Sequence, residues 1–257
     1  MAVRRRRKKK SPFEGIGILV MILVIAMAVI WVVNPPVPRE PSFTVEDFAL
    51  EGDRMTCLSQ WASTGIDVSR HQGQIDWAQV KASGIDFAFI RVGYRSAADG
   101  TLKIDDMAQR NLTEAKLAGL QVGAYFFSQA VSPEEARQEA AFAMEQLRGH
   151  TLDLPLAYDW EYVQDWGRTL SVPRETLADC IDAFCSEIEA RGYQSMVYFN
   201  GDFAKRMLDP DQLGRRIWFA MYDTHPELSP KPDYWQYTDQ GQVPGISGNV
   251  DLNLRFK

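Results

Sequence analysis

Residues Phe87 to Tyr94 read Phe-Ala-Phe-Ile-Arg-Val-Gly-Tyr, apolar at nearly every position. A strand of that kind has to be covered on both faces, the condition met in a parallel sheet flanked by helices. The same kind of unit recurs along the chain. Gly65 to Ser69 reads as a short strand, followed by a helix over Asp76–Ser83 that Asp76 can cap and Gly84 can stop. A helix over Asp105–Ala118 ending at Gly119, a strand Val122–Gln129, and a helix opened by Ser132-Pro133-Glu134-Glu135 and running to about Arg148 come next. Leu154–Tyr162 holds the fourth strand, a helix from Ser171 ends at Arg191 and Gly192, and Ser195–Asn200 is the fifth strand. A short helical piece then precedes three strands on short connections, Ile217–Tyr222, Tyr234–Tyr237 and Val250–Leu254. Eight strands, five of them alternating with helices, predict an α/β barrel rather than an open sheet. No Gly-x-Gly-x-x-Gly follows any strand, so a dinucleotide site has no support.

In such a barrel the chemistry lies where the strands end, and side chains from several strands converge there. Strand four brings Asp159 and Glu161 to one face, two positions apart, while Tyr158, Trp160 and Tyr162 face the other way. Burial and like-charge repulsion both favour the neutral form, so one member of such a pair is held protonated while its partner stays ionised. That is the requirement for splitting a glycosidic bond. Asp67 on strand one and Asp251 on strand eight would share the same mouth. Arg91, Tyr94, Tyr125, Tyr198, Tyr222, Trp235 and Gln236 would line it, with Gln129, Asn200, Trp218 and Tyr237 also at strand ends. The aromatic members offer flat apolar faces for sugar rings.

The amino terminus differs from the rest. Arg4 to Lys10 is an unbroken basic run, and Gly15 to Val33 has no charged or strongly polar side chain, long enough to span a bilayer as a helix. The charges would stay in the cytoplasm and the remainder outside, on the periplasmic or cell-wall side. Ala26-Met27-Ala28 offers a signal-peptide cleavage site, but the apolar run continues past it through Trp31 and Val33, which favours an uncleaved anchor. The expected organisation is a basic cytoplasmic tail over 1–12, a single-pass transmembrane anchor over 13–33, a Pro-rich linker and lead-in over 34–61, and the barrel over 62–257. Of the 28 Lys and Arg and 34 Asp and Glu, seven bases and one acid lie in residues 1–33, leaving 21 against 33, a net of −12. So acidic a domain argues against a nucleic-acid partner, and the basic tail suits anionic lipid instead. Hydrophobic residues make up 46% of the chain, enough for one sizeable core. Cys57, Cys180 and Cys185 are an odd set, read as buried free thiols rather than a bridge of Cys57 to one of the others, and the scattered His71, His150 and His225 suggest no metal or other cofactor.

Gly65-Ile66-Asp67-Val68-Ser69-Arg70-His71-Gln72-Gly73, followed by Ile75-Asp76-Trp77, resembles the opening motif of glycoside hydrolase family 25, the lysozyme or N-acetylmuramidase family. Phe89-Ile90-Arg91, Gly123-Ala124-Tyr125-Phe126, Asp159-Trp160-Glu161, Trp235-Gln236-Tyr237 and Val250-Asp251-Leu252-Asn253 match in order, so the similarity covers about residues 62 to 255. The resemblance implies an irregular TIM-like (β/α)5(β)3 barrel, cleavage of the N-acetylmuramic acid to N-acetylglucosamine bond in peptidoglycan, and a role in cell-wall turnover or remodelling. It also implies Glu161 as general acid, Asp159 as partner carboxylate kept ionised by nearby donors, and Asp67 and Asp251 as further acids of the site. A strand spacing of two residues sets the α-carbons about 6.6 Å apart. That lies between the carboxyl separations of about 5 and above about 6.5 Å expected of retaining and inverting enzymes, and the substrate's own acetamido oxygen is a third nucleophile. A non-catalytic glycan-binding barrel and a hydrolase of another amino-sugar polymer are the competing readings.

Overall fold

The structure, a computed structural model, describes residues 43–163, 167–200, 214–222 and 232–256. Among them a 3-10 turn at Val45–Asp47 leads into a hairpin of β1 (Phe48–Glu51) and β2 (Arg54–Cys57). The barrel strands are β3 (Ala62–Val68), β4 (Phe87–Arg95), β6 (Gln121–Ser128), β7 (Leu156–Trp160), β8 (Ser195–Asn200), β9 (Arg216–Ala220), β10 (Tyr234–Gly241) and β11 (Val250–Phe256). A short β5 (Leu102–Ile104) pairs antiparallel with the end of β4. The described helices are α1 (Trp77–Ala82), α2 (Ala108–Leu117), α3 (Pro133–Gln146) and α4 (Arg174–Glu189).

The eight strands close on themselves. From β3 through β4, β6, β7, β8 and β9 to β10 every pairing is parallel, and β11 closes the ring antiparallel to both β10 and β3. The expected (β/α)5(β)3 order therefore holds for the strands. The short helical piece expected after the fifth strand falls in 201–213, outside the described residues, as do the tail of 1–12 and the anchor of 13–33. Among the described residues no helix is long and apolar enough to cross a membrane.

Helix boundaries follow local chemistry. The Asp76 carboxylate accepts from the Gln79 N–H at 3.1 Å and Ser132 Oγ accepts from that of Glu135 at 3.3 Å, so both expected caps form. Gly84 and Gly119 end their helices at φ of 90° and 85°, left-handed values that a side chain would resist. The helix expected from Asp105 starts three residues later, at Ala108, because the Asp105 side chain is engaged elsewhere. Residues 45–57, read as part of a linker and lead-in, instead belong to the same compact unit as the barrel. Phe43 stacks on Phe256 at 4.5 Å and Phe48 packs on Trp235 at 4.7 Å, so this segment covers the outside of β10 and β11. Cys57, Cys180 and Cys185 are free thiols, the last two buried in the core.

Strand alternation divides the core in two. Outward residues such as Ala88, Ile90, Ala124, Tyr158 and Val197 pack with the helices, while Phe87, Phe89, Tyr125, Ala157, Met196, Tyr198, Trp218 and Tyr234 fill the barrel. Phe89 stacks on Trp218 at 4.8 Å, and Tyr234 meets the edges of Phe87 and Phe89 at 5.6 and 5.0 Å. Such bulk fits only where the facing strand is empty. A Cβ on Gly65 would lie 2.3 Å from the Phe87 ring, and one on Gly123 would lie 2.4 Å from the Phe89 ring and 3.0 Å from Leu154 Cβ. Gly123→Ala should therefore destabilise the fold by about 1–3 kcal/mol through overpacking, read as a lower urea midpoint at unchanged slope. An unchanged midpoint would mean the aromatic plug yields more readily than its full burial implies.

Candidate active site

The aromatic plug forms the floor of a cavity of about 280 Å³ at the carboxyl ends of the parallel strands. Asp67 comes from the end of β3, Asp159 from β7, Glu161 one residue past it, and Asp251 from the start of β11. Because β11 runs antiparallel, its first residues lie at this same mouth, and Asp251 sits directly across from Asp67 in the strand register. Nine of the eleven expected site residues line the cavity: Asp67, Arg91, Tyr125, Asp159, Glu161, Tyr198, Tyr222, Gln236 and Asp251. A wider groove of about 820 Å³ lies outside the barrel between α1, α2 and residues 245–247. Its acids are occupied, Asp76 as a helix cap and Glu114 in a 2.8 Å ion pair with Arg110, so it offers no facing carboxyl pair.

Two expected residues fall elsewhere. In β10 the alternation sends Tyr234 and Gln236 inward and Trp235 and Tyr237 outward. Trp235 is thus fully buried beneath Phe48, its Nε1 donating to the Met221 carbonyl at 3.0 Å, and cannot be a sugar platform. Tyr94 lies beyond an irregularity in the β4–β6 register between Arg91 and Gly93, which takes it off the inward row. Its ring instead packs against two guanidiniums, with Cζ of Arg70 at 5.4 Å and of Arg91 at 5.3 Å from the centroid.

The Asp67 side is a network of fixed direction. Gln236 Nε2 and Asn253 Nδ2 each donate to Asp67 Oδ2 at 2.8 Å. Either amide could be turned the other way were it not held. The phenols of Tyr198 and Tyr222 donate to Gln236 Oε1 at 3.0 and 2.8 Å, and Trp218 Nε1 donates to Asn253 Oδ1 at 2.7 Å, so both amides must present N–H to the acid. Burial raises Asp67 to about 6 against these donors, and burial together with the charges of Asp67 and Asp239 raises Asp251 to about 9. Asp251 is therefore a neutral acid at neutral pH, donating to an ionised Asp67.

Asp159 and Glu161 form the second pair. Burial raises both; the charges of Glu161 and Asp67 push Asp159 further up, while Glu161 is raised also by the charge of Asp67 and lowered by hydrogen bonding from Asn200 and Asp159. The two carboxyls differ in their donors. Asp159 Oδ1 is buried with no hydrogen-bond partner among the described residues, whereas Asn200 Nδ2 donates to Glu161 Oε2 at 3.1 Å. Donors favour the ionised form, so Asn200 works against the burial that raises Glu161, while Asp159 Oδ1 has no such donor. The charge of Arg91 acts on Asp159 in the opposite sense.

Supporting residues were less visible in sequence. Asp105, read as a helix start, is buried and accepts from Arg91 Nε at 2.8 Å, from the Arg70 N–H at 3.0 Å and from the Met107 N–H at 3.1 Å. Gln129 is fully buried and donates to the Glu161 carbonyl at 2.7 Å, holding the backbone of that residue just where β7 stops. Asn253 stood in the last motif without a role. The signal for each is a polar residue at an otherwise apolar position, but its partner lies tens of residues away.

Comparison with known proteins agrees with this geometry. The profile of the family described as Glycosyl hydrolases family 25 matches residues 66–246. The chain is 31% identical over 205 residues to Lysozyme M1 of Streptomyces globisporus, covering 74% of this chain and 66% of that one. It is 29% identical over 190 residues to the autolytic lysozyme of Clostridium acetobutylicum, covering 74% and 54%. Among solved structures, the modular autolysin LytC of Streptococcus pneumoniae in complex with a synthetic peptidoglycan ligand superposes with a TM-score of 0.67 at 26% identity, covering 81% of this chain and 52% of that one. The chain thus spans between about half and two thirds of the length of these relatives. With a matched profile that takes in the Asp67, Arg91, Asp159, Glu161 and Gln236 positions of the mouth, the chain belongs to glycosyl hydrolase family 25.

Proposed function

We propose that the protein is a peptidoglycan muramidase that cleaves the β-1,4 bond between N-acetylmuramic acid and N-acetylglucosamine, with Glu161 as general acid. The observation that carries this reading is the convergence of four buried or half-buried carboxyls, Asp159 and Glu161 beside Asp67 and Asp251, in one cavity at the carboxyl ends of the strands. Two curated relatives bear the name lysozyme and one solved relative holds a peptidoglycan ligand, which supports the substrate class.

The donors around the pair suggest how a proton reaches the leaving group. An acetamido N–H of the bound sugar would donate to Asp159, whose Oδ1 lacks a partner among the described residues, and would hold it anionic. Glu161, raised by burial, then delivers its proton to the glycosidic oxygen. In the preferred route the acetamido oxygen attacks the anomeric carbon while Asp159 orients it, and water later opens the cyclic intermediate with Glu161 as base.

Two measurements bear on this chemistry. Glu161→Gln should lower release of new reducing ends from peptidoglycan by about 10²- to 10⁴-fold with folding intact. Reducing N-acetylmuramic acid ends from the native protein fit the proposal. Reducing N-acetylglucosamine ends or activity on chitin alone would replace it with another amino-sugar hydrolase, and binding without cleavage with a glycan-binding barrel. Asp251→Asn tests the buried proton. Folded Asp251 at about 9 against an ordinary 3.8 stabilises fully below about 4, and that stability is lost as pH rises toward 9. Asn keeps the hydrogen bond without titrating, so the variant should gain thermal stability over the native protein at pH 7 to 8, a gain that vanishes near pH 4. A constant difference across that range would place the proton elsewhere.

We further propose that residues 13–33 anchor the enzyme in the membrane, with residues 1–12 cytoplasmic and the barrel extracytoplasmic, acting on nearby glycan strands. Fractionation should find the protein in membranes, with its amino terminus intact. A released protein starting after Ala28 would overturn the anchor.

A further inference from the structure

The carboxyls at the mouth face a patch of opposite sign. Arg91 leaves β4 on the inward row and lines the cavity, and His71 lines it alongside. Arg70 follows β3 in the 3-10 turn Arg70–Gln72, and its guanidinium and that of Arg91 both lie over the Tyr94 ring. Asp105 ties the two together, accepting from Arg91 Nε and from the Arg70 backbone. It neutralises one cation and no more. Among the described residues the Arg70 guanidinium has no carboxylate partner, and the Arg91 terminal nitrogens make no hydrogen bond. Two guanidiniums gathered on one ring repel each other, an arrangement the ring face and Asp105 only partly relieve. The local field is felt by His71, whose ring is pushed down by burial and then by the charges of Arg91 and Arg70.

Arg91 acts on Asp159 only through its charge, and neither Asp159 nor Glu161 forms an ion pair with Arg91 or Arg70 among the described residues. What the arrangement offers is one forked donor, Arg91, lining an otherwise acidic mouth, with the Arg70 guanidinium over the same Tyr94 ring and its charge felt by His71, which lines the mouth. Forked guanidinium donors match a carboxylate better than a sugar hydroxyl. In peptidoglycan, unlike chitin, carboxylates occur on the muramic acid side chain and on any stem peptide attached to it.

We propose that Arg70 and Arg91, braced by Asp105 and Tyr94, form a corner that binds a substrate carboxylate, either the lactyl group of a peptide-free N-acetylmuramic acid residue or a free carboxylate of its stem peptide. The corner rests on the muramidase reading and deepens it: it makes the site select the muramyl sugar by charge.

Binding is measured with the full chain in detergent on the Glu161→Gln background, so that no turnover intervenes. The probes are peptide-free muramyl glycan, the same glycan with its carboxyls reduced to alcohols, peptide-bearing glycan, and its amidated form. In one of the two charged and uncharged pairs the acid should bind more tightly, and that pair names the source. Arg70→Gln should weaken binding of that acid roughly three- to tenfold and leave its uncharged counterpart unchanged, with Arg70→Lys between the two. A melting temperature equal to the parent's excludes a folding effect. Equal binding of acid and uncharged forms, equal loss on both in Arg70→Gln, or no binding of any probe would overturn the corner. Charge discrimination that depends on Arg70 in a protein whose native form releases no reducing muramic acid would keep the corner and sink the muramidase.

Discussion

The antiparallel seating of β11 between β10 and β3 is the constraint on which the site depends. Seven parallel strands alone would leave two open edges and would bring side chains to the mouth only from their carboxyl ends. Inserting one reversed strand removes both edges and delivers the start of β11 to that same mouth. Asp251 thereby meets Asp67 across the closing seam, and Asn253 two residues on reaches the same carboxylate. Gln236 from β10 completes the set, so the seam is joined by side-chain hydrogen bonds on the inside as well as by the ladder.

Beneath the acids lies an aromatic floor, and the two depend on each other. Phe89, Trp218, Tyr125 and Tyr198 exclude water from below, and the burial they create raises the carboxyls above them. The same rings supply the donors that fix the amides, Trp218 toward Asn253 and Tyr198 toward Gln236. A floor of leucines would fill the volume and leave both amides free to turn, and an amide oxygen facing Asp67 would repel it. Gly65 and Gly123 are the condition for placing such large rings inside a narrow barrel.

Much of this was legible because strand and helix periods are local. Phe87–Tyr94 declared a doubly covered strand, Asp76 and Ser132 declared caps, and Asp159 with Glu161 declared one face. The same period, applied residue by residue to Tyr234–Tyr237, would have sent Trp235 outward with Tyr237; grouping the strand's aromatics by kind instead of by parity misplaced it. Tyr94 was lost to the register irregularity after Arg91, which no pattern of residue types announces. Asp105 and Asn200 act on partners 14 and 39 positions away, and the hairpin over 48–57 is held by Phe256 and Trp235 from the far end of the chain. Contacts of that kind arise from closure of the barrel and have no local signature.

On the muramidase proposal, an acidic domain would act on an anionic polymer and would have to admit charge of its own sign. At physiological ionic strength the screening length is about 8 Å, so the net of −12 spread over the surface matters less to a docking strand than the groups within reach of the mouth. There burial raises all four acids, which lowers their charge in the unliganded site. The arginine pair at the Tyr94 edge reduces it further on one side only. The mouth is therefore polarised, negative toward Asp159 and Glu161 and positive toward Arg70 and Arg91. A glycan strand has direction and carries its carboxylates on alternate sugars, so a polarised mouth favours the register that sets a carboxylate on the arginines. Burial thus does two things at once: it favours the protonated form that a general acid needs, and it lowers the charge that would keep an anionic polymer out.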